Sequence, residues 1–144
     1  MMRIDILGQP RVKAILEALE ASLNTVEILD ESGAVLLART RARYLQEVDP
    51  DGHPWMPSLA ALNRLKKGRG GGTLYNYGKL FHSIQLAGSG ENERFIGTDV
   101  PYGKYHQEGN GDMYRPFLGF NYDDVSVVQK LIIKRVTEKQ NGLA

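Results

Sequence analysis

Leu80-Phe81-His82-Ser83-Ile84-Gln85-Leu86 decides the fold class, because here the period of the apolar residues changes. Leu80, His82, Ile84 and Leu86 alternate with Phe81, Ser83 and Gln85, and a period of two is that of a half-buried strand. Downstream, Arg94-Phe95-Ile96-Gly97-Thr98 reads as its partner across the polar loop Gly88-Ser89-Gly90-Glu91-Asn92-Glu93. Arg115-Pro116-Phe117-Leu118-Gly119-Phe120 reads as a third strand, with the proline favouring an edge or a strand start.

On both sides of this region the spacing is helical. After it, Asn121 is a helix cap, Asp123 and Asp124 suit a first turn, and Val125, Val128, Leu131, Ile132 and Val136 follow on one face. Before it, Pro10 suits a first helical turn, with Val12, Ile15, Leu16, Leu19 and Leu23 at spacings of three and four. Asn24-Thr25 closes that helix and caps another carrying Ile28, Leu29, Leu36, Leu37, Thr40 and Tyr44. Gly33 interrupts this run, and a hairpin of residues 26–29 against 34–38 fits the same apolar residues. Asp49-Pro50-Asp51-Gly52-His53-Pro54 is a rigid loop, and Ser58 caps a short helix, Leu59 to Lys67, with Leu59, Leu62 and Leu65 facing inward. Arg69-Gly70-Gly71-Gly72 reads as a flexible loop. The expected fold is α+β: N-terminal helices, a small antiparallel sheet of three to four strands, and a C-terminal helix packed on it. Residues 1–144 form a single domain, with loop 49–57 and a mobile loop 68–73.

Composition narrows the function classes. Among 144 residues, 24% are charged and 42% hydrophobic, as in ordinary globular proteins. No cysteine is present, which excludes disulfides, thiolate zinc sites and cysteine nucleophiles. Eighteen basic against seventeen acidic residues leave a formal charge of +1, too small for a global field that attracts nucleic acid. Residues 1–10 do not read as a secretory signal, and no apolar run reaches the roughly 18 residues of a membrane span. His53, His82 and His106 lie on three separate elements without metal-ligand spacing, so no metal site is expected. No serine lies in a nucleophile elbow, and Gly68-Arg69-Gly70-Gly71-Gly72-Thr73 lacks the lysine of a phosphate loop. The expectation is a protein that is not an enzyme and holds no cofactor.

Two surface signals remain. Arg39, Arg41, Arg43, Arg64, Lys66, Lys67 and Arg69 are concentrated in one window, a candidate patch for phosphates or an acidic protein. Tyr75, Tyr77, Tyr102, Tyr105, Tyr114 and Tyr122 crowd the second half, and tyrosine favours interfaces. Interaction candidates are therefore Arg64, Lys66, Lys67, Arg69, Tyr102, His106, Glu108, Arg115 and Phe117, with Trp55 as the structural anchor of the 50–57 loop.

An ordered set of motifs adds to this reading. Asp49-Pro50-Asp51-Gly52-His53-Pro54-Trp55, Leu59 to Lys67 with the glycines after it, Ile96-Gly97-Thr98-Asp99-Val100-Pro101-Tyr102, His106-Gln107-Glu108-Gly109 and Arg115-Pro116-Phe117-Leu118-Gly119 occur in the order of one family. Together they resemble the virion morphogenesis, or tail completion, proteins of Mu-like contractile-tailed phages and prophages. Asn76-Tyr77-Gly78-Lys79-Leu80 and Glu108 depart from that family's usual residues. The resemblance implies a non-enzymatic assembly protein at the head-proximal end of the tail. It also implies a hexameric ring of copies, partners among tail tube, terminator and head-connector proteins, and residence in the host cytoplasm before the virion. A nucleic-acid-binding accessory protein using the Arg39–Arg69 patch is the alternative, and no membrane contact is expected.

Overall fold

The computed structural model describes residues 2–5, 24–111 and 113–142. The helix read at 10–23 lies outside them. The described elements are β1 (Met2–Asp5), α1 (Thr25–Leu45), α2 (Leu59–Lys66), α3 (Lys79–Ser83), β2 (Gln85–Ala87), β3 (Phe95–Thr98), α4 (Gly103–Glu108) and α5 (Tyr122–Gly142). The class is α+β, with a smaller sheet in the second half than expected: among the described residues only two strands, β2 and β3, form there. They pair antiparallel with Leu86 opposite Ile96, and β1 adds to the other side of β3 with Ile4 opposite Ile96.

Residues 25–45 form one helix and not a hairpin. Asn24 accepts the Glu27 N–H at 3.2 Å, and Gly33 is buried within the helix. α1 and α5 pack together, and Ile28, Leu29, Leu36 and Tyr44 of α1 join Val128 and Ile132 of α5 in the core. Ile84, Ile96, Phe117 and Leu118 close it from the side of the sheet.

The decisive stretch folds otherwise than its alternation suggests. Residues 79–83 are helical, and strand begins only at Gln85. Leu80 and Ile84, both buried, stand four apart, a spacing that satisfies a helical turn as well as a strand. Local chemistry selects the turn. Gly78 sits at φ +77°, where a side chain is strained, and accepts the His82 N–H at 2.8 Å. Ser83 Oγ donates to Leu80 O at 2.6 Å.

The third expected strand, 115–120, does not form. Pro116 has no N–H to offer, and the N–H groups of Phe117 and Leu118 both donate to Gln107 Oε1, at 3.0 and 2.9 Å. Gln107 Nε2 in turn donates to Leu118 O at 2.7 Å. One side-chain amide thus supplies what a neighbouring strand would.

α5 starts with a reciprocal cap: Asn121 Oδ1 accepts from Asp124 N at 2.8 Å and Asp124 Oδ2 from Asn121 N at 3.0 Å. Asp124 is fully buried and also meets Arg39 Nε at 2.5 Å and Arg43 Nη1 at 2.9 Å. Burial alone would raise its pKa, but the hydrogen bonds from Arg43, Arg39 and Asn121 prevail and hold the carboxyl below its ordinary value. Arg43 Nη2 continues to Gly119 O at 3.0 Å. Gly119, at φ +155°, lets the Pro50 ring approach where a Cβ would stand 2.6 Å from its Cγ.

Candidate functional site

The 49–57 loop is built by its own side chains. Asp49 Oδ1 accepts from Asp51 N at 2.9 Å and His53 N at 2.8 Å, and Val48 bridges to Pro54. Asp49, Asp51 and His53 come close together, a proximity that this turn itself explains. Trp55 is buried, with its ring edge-on to Tyr44 at 5.3 Å and its Nε1 donating to Pro116 O at 2.9 Å. The Tyr44 hydroxyl donates to Leu74 O at 2.6 Å, and burial, with lesser contributions from Tyr102 and Tyr75, pushes its pKa up.

Ser58 Oγ then caps α2 by accepting Ala61 N–H at 3.1 Å. Here the structure reverses an expectation. Leu59, Leu62 and Leu65 do not face inward but are 78%, 43% and 71% exposed, and Met56 just before them is 69% exposed. The inward contact is Ala61, while Arg64 reaches back to Gly72 O at 2.9 Å. An eight-residue helix seated on an alanine comes close to the body and turns its leucines to solvent.

The glycine loop is tied at one end. Thr73 is buried, its N–H donates to Glu47 Oε1 at 2.6 Å, and its Oγ1 accepts from Ser58 N at 3.2 Å. A Cβ on Gly71 would stand 2.3 Å from Tyr75 O, so the close approach requires glycine there. Gly68 and Gly70 have open space around them, while the backbone N–H groups of Gly68 and Arg69 donate to Leu65 O and Arg64 O at 3.0 and 2.8 Å.

Nor do the seven cations of the 39–69 window form one patch. Arg39 and Arg43 are paired with Asp124, and Arg41 Nη2 donates to Ile84 O at 2.7 Å. Lys66, Lys67 and Arg69 remain as an exposed cationic end to the leucine face.

Of the other candidates, Arg64, Tyr102, His106 and Arg115 converge from three parts of the chain. With Tyr75 and Lys79 they line a cavity of about 410 Å³ beside α2. Arg115 is itself buried: its Nε donates to Met56 O at 2.7 Å and its N–H to His106 O at 2.8 Å. Burial first, then the Arg115 charge, lowers the His106 pKa and favours the neutral imidazole. Glu108 stands apart, beside Asp99 and Tyr105 at a separate cavity of about 530 Å³. Phe117 is 1% exposed and packs edge-on to Tyr44 at 5.7 Å; it is a core residue, not a contact surface. Sequence reasoning missed Gln107, although its place in the quoted His106-Gln107-Glu108-Gly109 motif was the available signal. It also missed Met56 and the outward leucines, whose spacing fits either face of a lone helix.

The described residues form a small α+β body with an exposed leucine helix, a cationic end and a cavity beside that helix. The chain belongs to the phage virion morphogenesis family, whose family model matches residues 9–137, most of the chain. No curated protein and no solved structure matches it. It is thus a virion-associated protein, and no described helix is long and apolar enough to cross a membrane.

Proposed function

We propose that this chain is a non-enzymatic assembly protein that completes the tail at its head-proximal end and joins it to the head. The observation that carries the reading is the outward face of Met56, Leu59, Leu62 and Leu65, in a chain of the virion morphogenesis family. Four large apolar side chains in a row at the surface find their stabilisation in a protein partner. The working form is a homohexameric ring, since closed rings of one chain match the six-fold symmetry of a tail. Its neighbours are the tail tube or terminator below and the head connector above, with DNA passing beside Lys66, Lys67 and Arg69. It acts in the host cytoplasm during assembly and stays in the virion.

Electron microscopy of lysates from an inducible phage lacking the gene tests this. DNA-filled heads beside unattached or overlong tails are expected, and normal infectious particles would overturn the reading. Complementation with the double variant Leu62→Asp and Leu65→Asp should give a titre at least about tenfold below wild type, because hot-spot losses exceed ~1.4 kcal/mol. Its melting temperature should stay within about 2 °C of wild type, since neither residue belongs to the core. Neutralising Lys66, Lys67 and Arg69 together to glutamine should also lower particle yield, with the deficit largest at low salt, where the exposed charges are least screened. An unchanged yield would remove the cationic end from the docking surface.

A further inference from the structure

The cavity beside α2 has a charge imbalance that the docking reading does not by itself explain. Arg64, Lys79 and Arg115 bring three cations to its lining, and no carboxylate lines it among the described residues. Arg115 is buried, Arg64 half-buried and Lys79 exposed at the rim, and a buried charge such as that of Arg115 is costly without a partner. Arg115 spends its Nε on Met56 O and Arg64 an Nη2 on Gly72 O, both carbonyls that satisfy hydrogen bonding without neutralising charge. Two polar atoms of the lining residues, His106 Nδ1 and Arg64 Nε, are buried without a hydrogen-bond partner among the described residues.

We propose that this cavity is a receptor for one carboxylate side chain, aspartate or glutamate, presented by a protein partner. The volume of about 410 Å³ suits one or two side chains. Tyr77, Tyr102 and Met113, 81%, 42% and 41% exposed, also line it and give its mouth aromatic and apolar surface. Such surroundings exclude water from a central charged contact and so strengthen it. A nucleic-acid phosphate fits less well. Backbone phosphates are met by several cations raised along an open surface, whereas here Arg115 is buried and Arg64 half-buried, and the arginines that would extend the row, Arg39 and Arg43, are paired with Asp124. The incoming carboxylate takes a bidentate or paired contact from the guanidinium groups, with Lys79 as a point charge.

The inference rests on the reading of the chain as a protein-docking module and fails separately from it. His106 is a built-in reporter, since a carboxylate seated beside it favours the charged imidazole and raises its pKa. The purified chain would be followed by NMR titration of the His106 ring between pH 4.5 and 8. The probes are N-acetylglutamate amide, its neutral isostere N-acetylglutamine amide, inorganic phosphate and a short DNA duplex. The proposal expects the glutamate probe to raise the His106 pKa by about half a unit or more, with no shift from the glutamine probe. Lys79→Gln, at an exposed position that leaves the fold intact, should weaken glutamate binding at least about threefold, while Lys66→Gln leaves it unchanged. Three outcomes would overturn the proposal. These are a flat titration, a stronger response to phosphate or duplex than to glutamate, and a His106 already titrating above its ordinary value in the free protein because the chain's own carboxylate fills the recess. None of them depends on the deletion phenotype, and a normal deletion phenotype would leave the titration intact.

Discussion

Replacing Asp124 with alanine is expected to cost about 3–5 kcal/mol of folding stability, measured by chemical denaturation at pH 7. The buried carboxylate holds Arg39, Arg43 and the first turn of α5, and its loss strands the largely buried Arg43 guanidinium without a counter-charge. Asp124→Asn should recover part of the loss, since the amide oxygen still accepts while the charge is gone. The same group sets an acid limit. Its folded pKa lies below the ordinary value near 3.8, so its contribution is fully present above that value and is lost as the pH falls through the folded pKa. The alanine variant should therefore lose less stability than wild type between about pH 5 and pH 2. Equal acid sensitivity in the two proteins would show that Asp124 is not the group responsible.

Trp55→Ala should be comparably severe, at about 3–5 kcal/mol, which lowers the melting temperature by on the order of 10 °C. Trp55 fills the space between Tyr44 and the 115–118 segment, and its Nε1 holds Pro116 O. Trp55→Phe separates the two contributions: most of the packing remains and the hydrogen bond, worth about 1 kcal/mol, is lost. A Trp55→Ala protein that melts with wild type would mean the 49–57 loop is not anchored through this ring.

What the sequence made legible was set by how many residues enforced one answer. α5 has a cap, acidic first-turn residues and five apolar positions in phase, and it stands where expected. The helix over 25–45 needed tertiary context, since its apolar residues fit a hairpin equally well and Gly33 is buried within the helix. Leu80 and Ile84 obey two periods at once, so the sequence alone does not reveal that Gly78 starts a helical turn there. The 115–120 segment reads as a strand because its composition is strand-like; the competing partner is a glutamine side chain ten and eleven residues from the N–H groups it accepts. For the site, clustering along the chain misled at the arginine window, where Asp124, some eighty residues downstream, takes up two of the charges. Arg64, Tyr102, His106 and Arg115 were identifiable as candidates by residue type, whereas their common cavity is a product of the fold. α2 failed in orientation because a three-residue spacing defines a face without saying which way it points.

That outward orientation of α2 separates two kinds of selection on this chain. Met56, Leu59, Leu62 and Leu65 contribute nothing to the buried cluster that folds the protein, and Phe117, Tyr44 and Trp55 offer nothing to a partner. On the proposed docking role, mutations in the first set would be sorted by what they meet in the particle, at little cost to the fold. Under that proposal, a lineage that acquired a new neighbouring protein would retune its fit here one leucine at a time, while the fold that carries the helix was inherited unchanged.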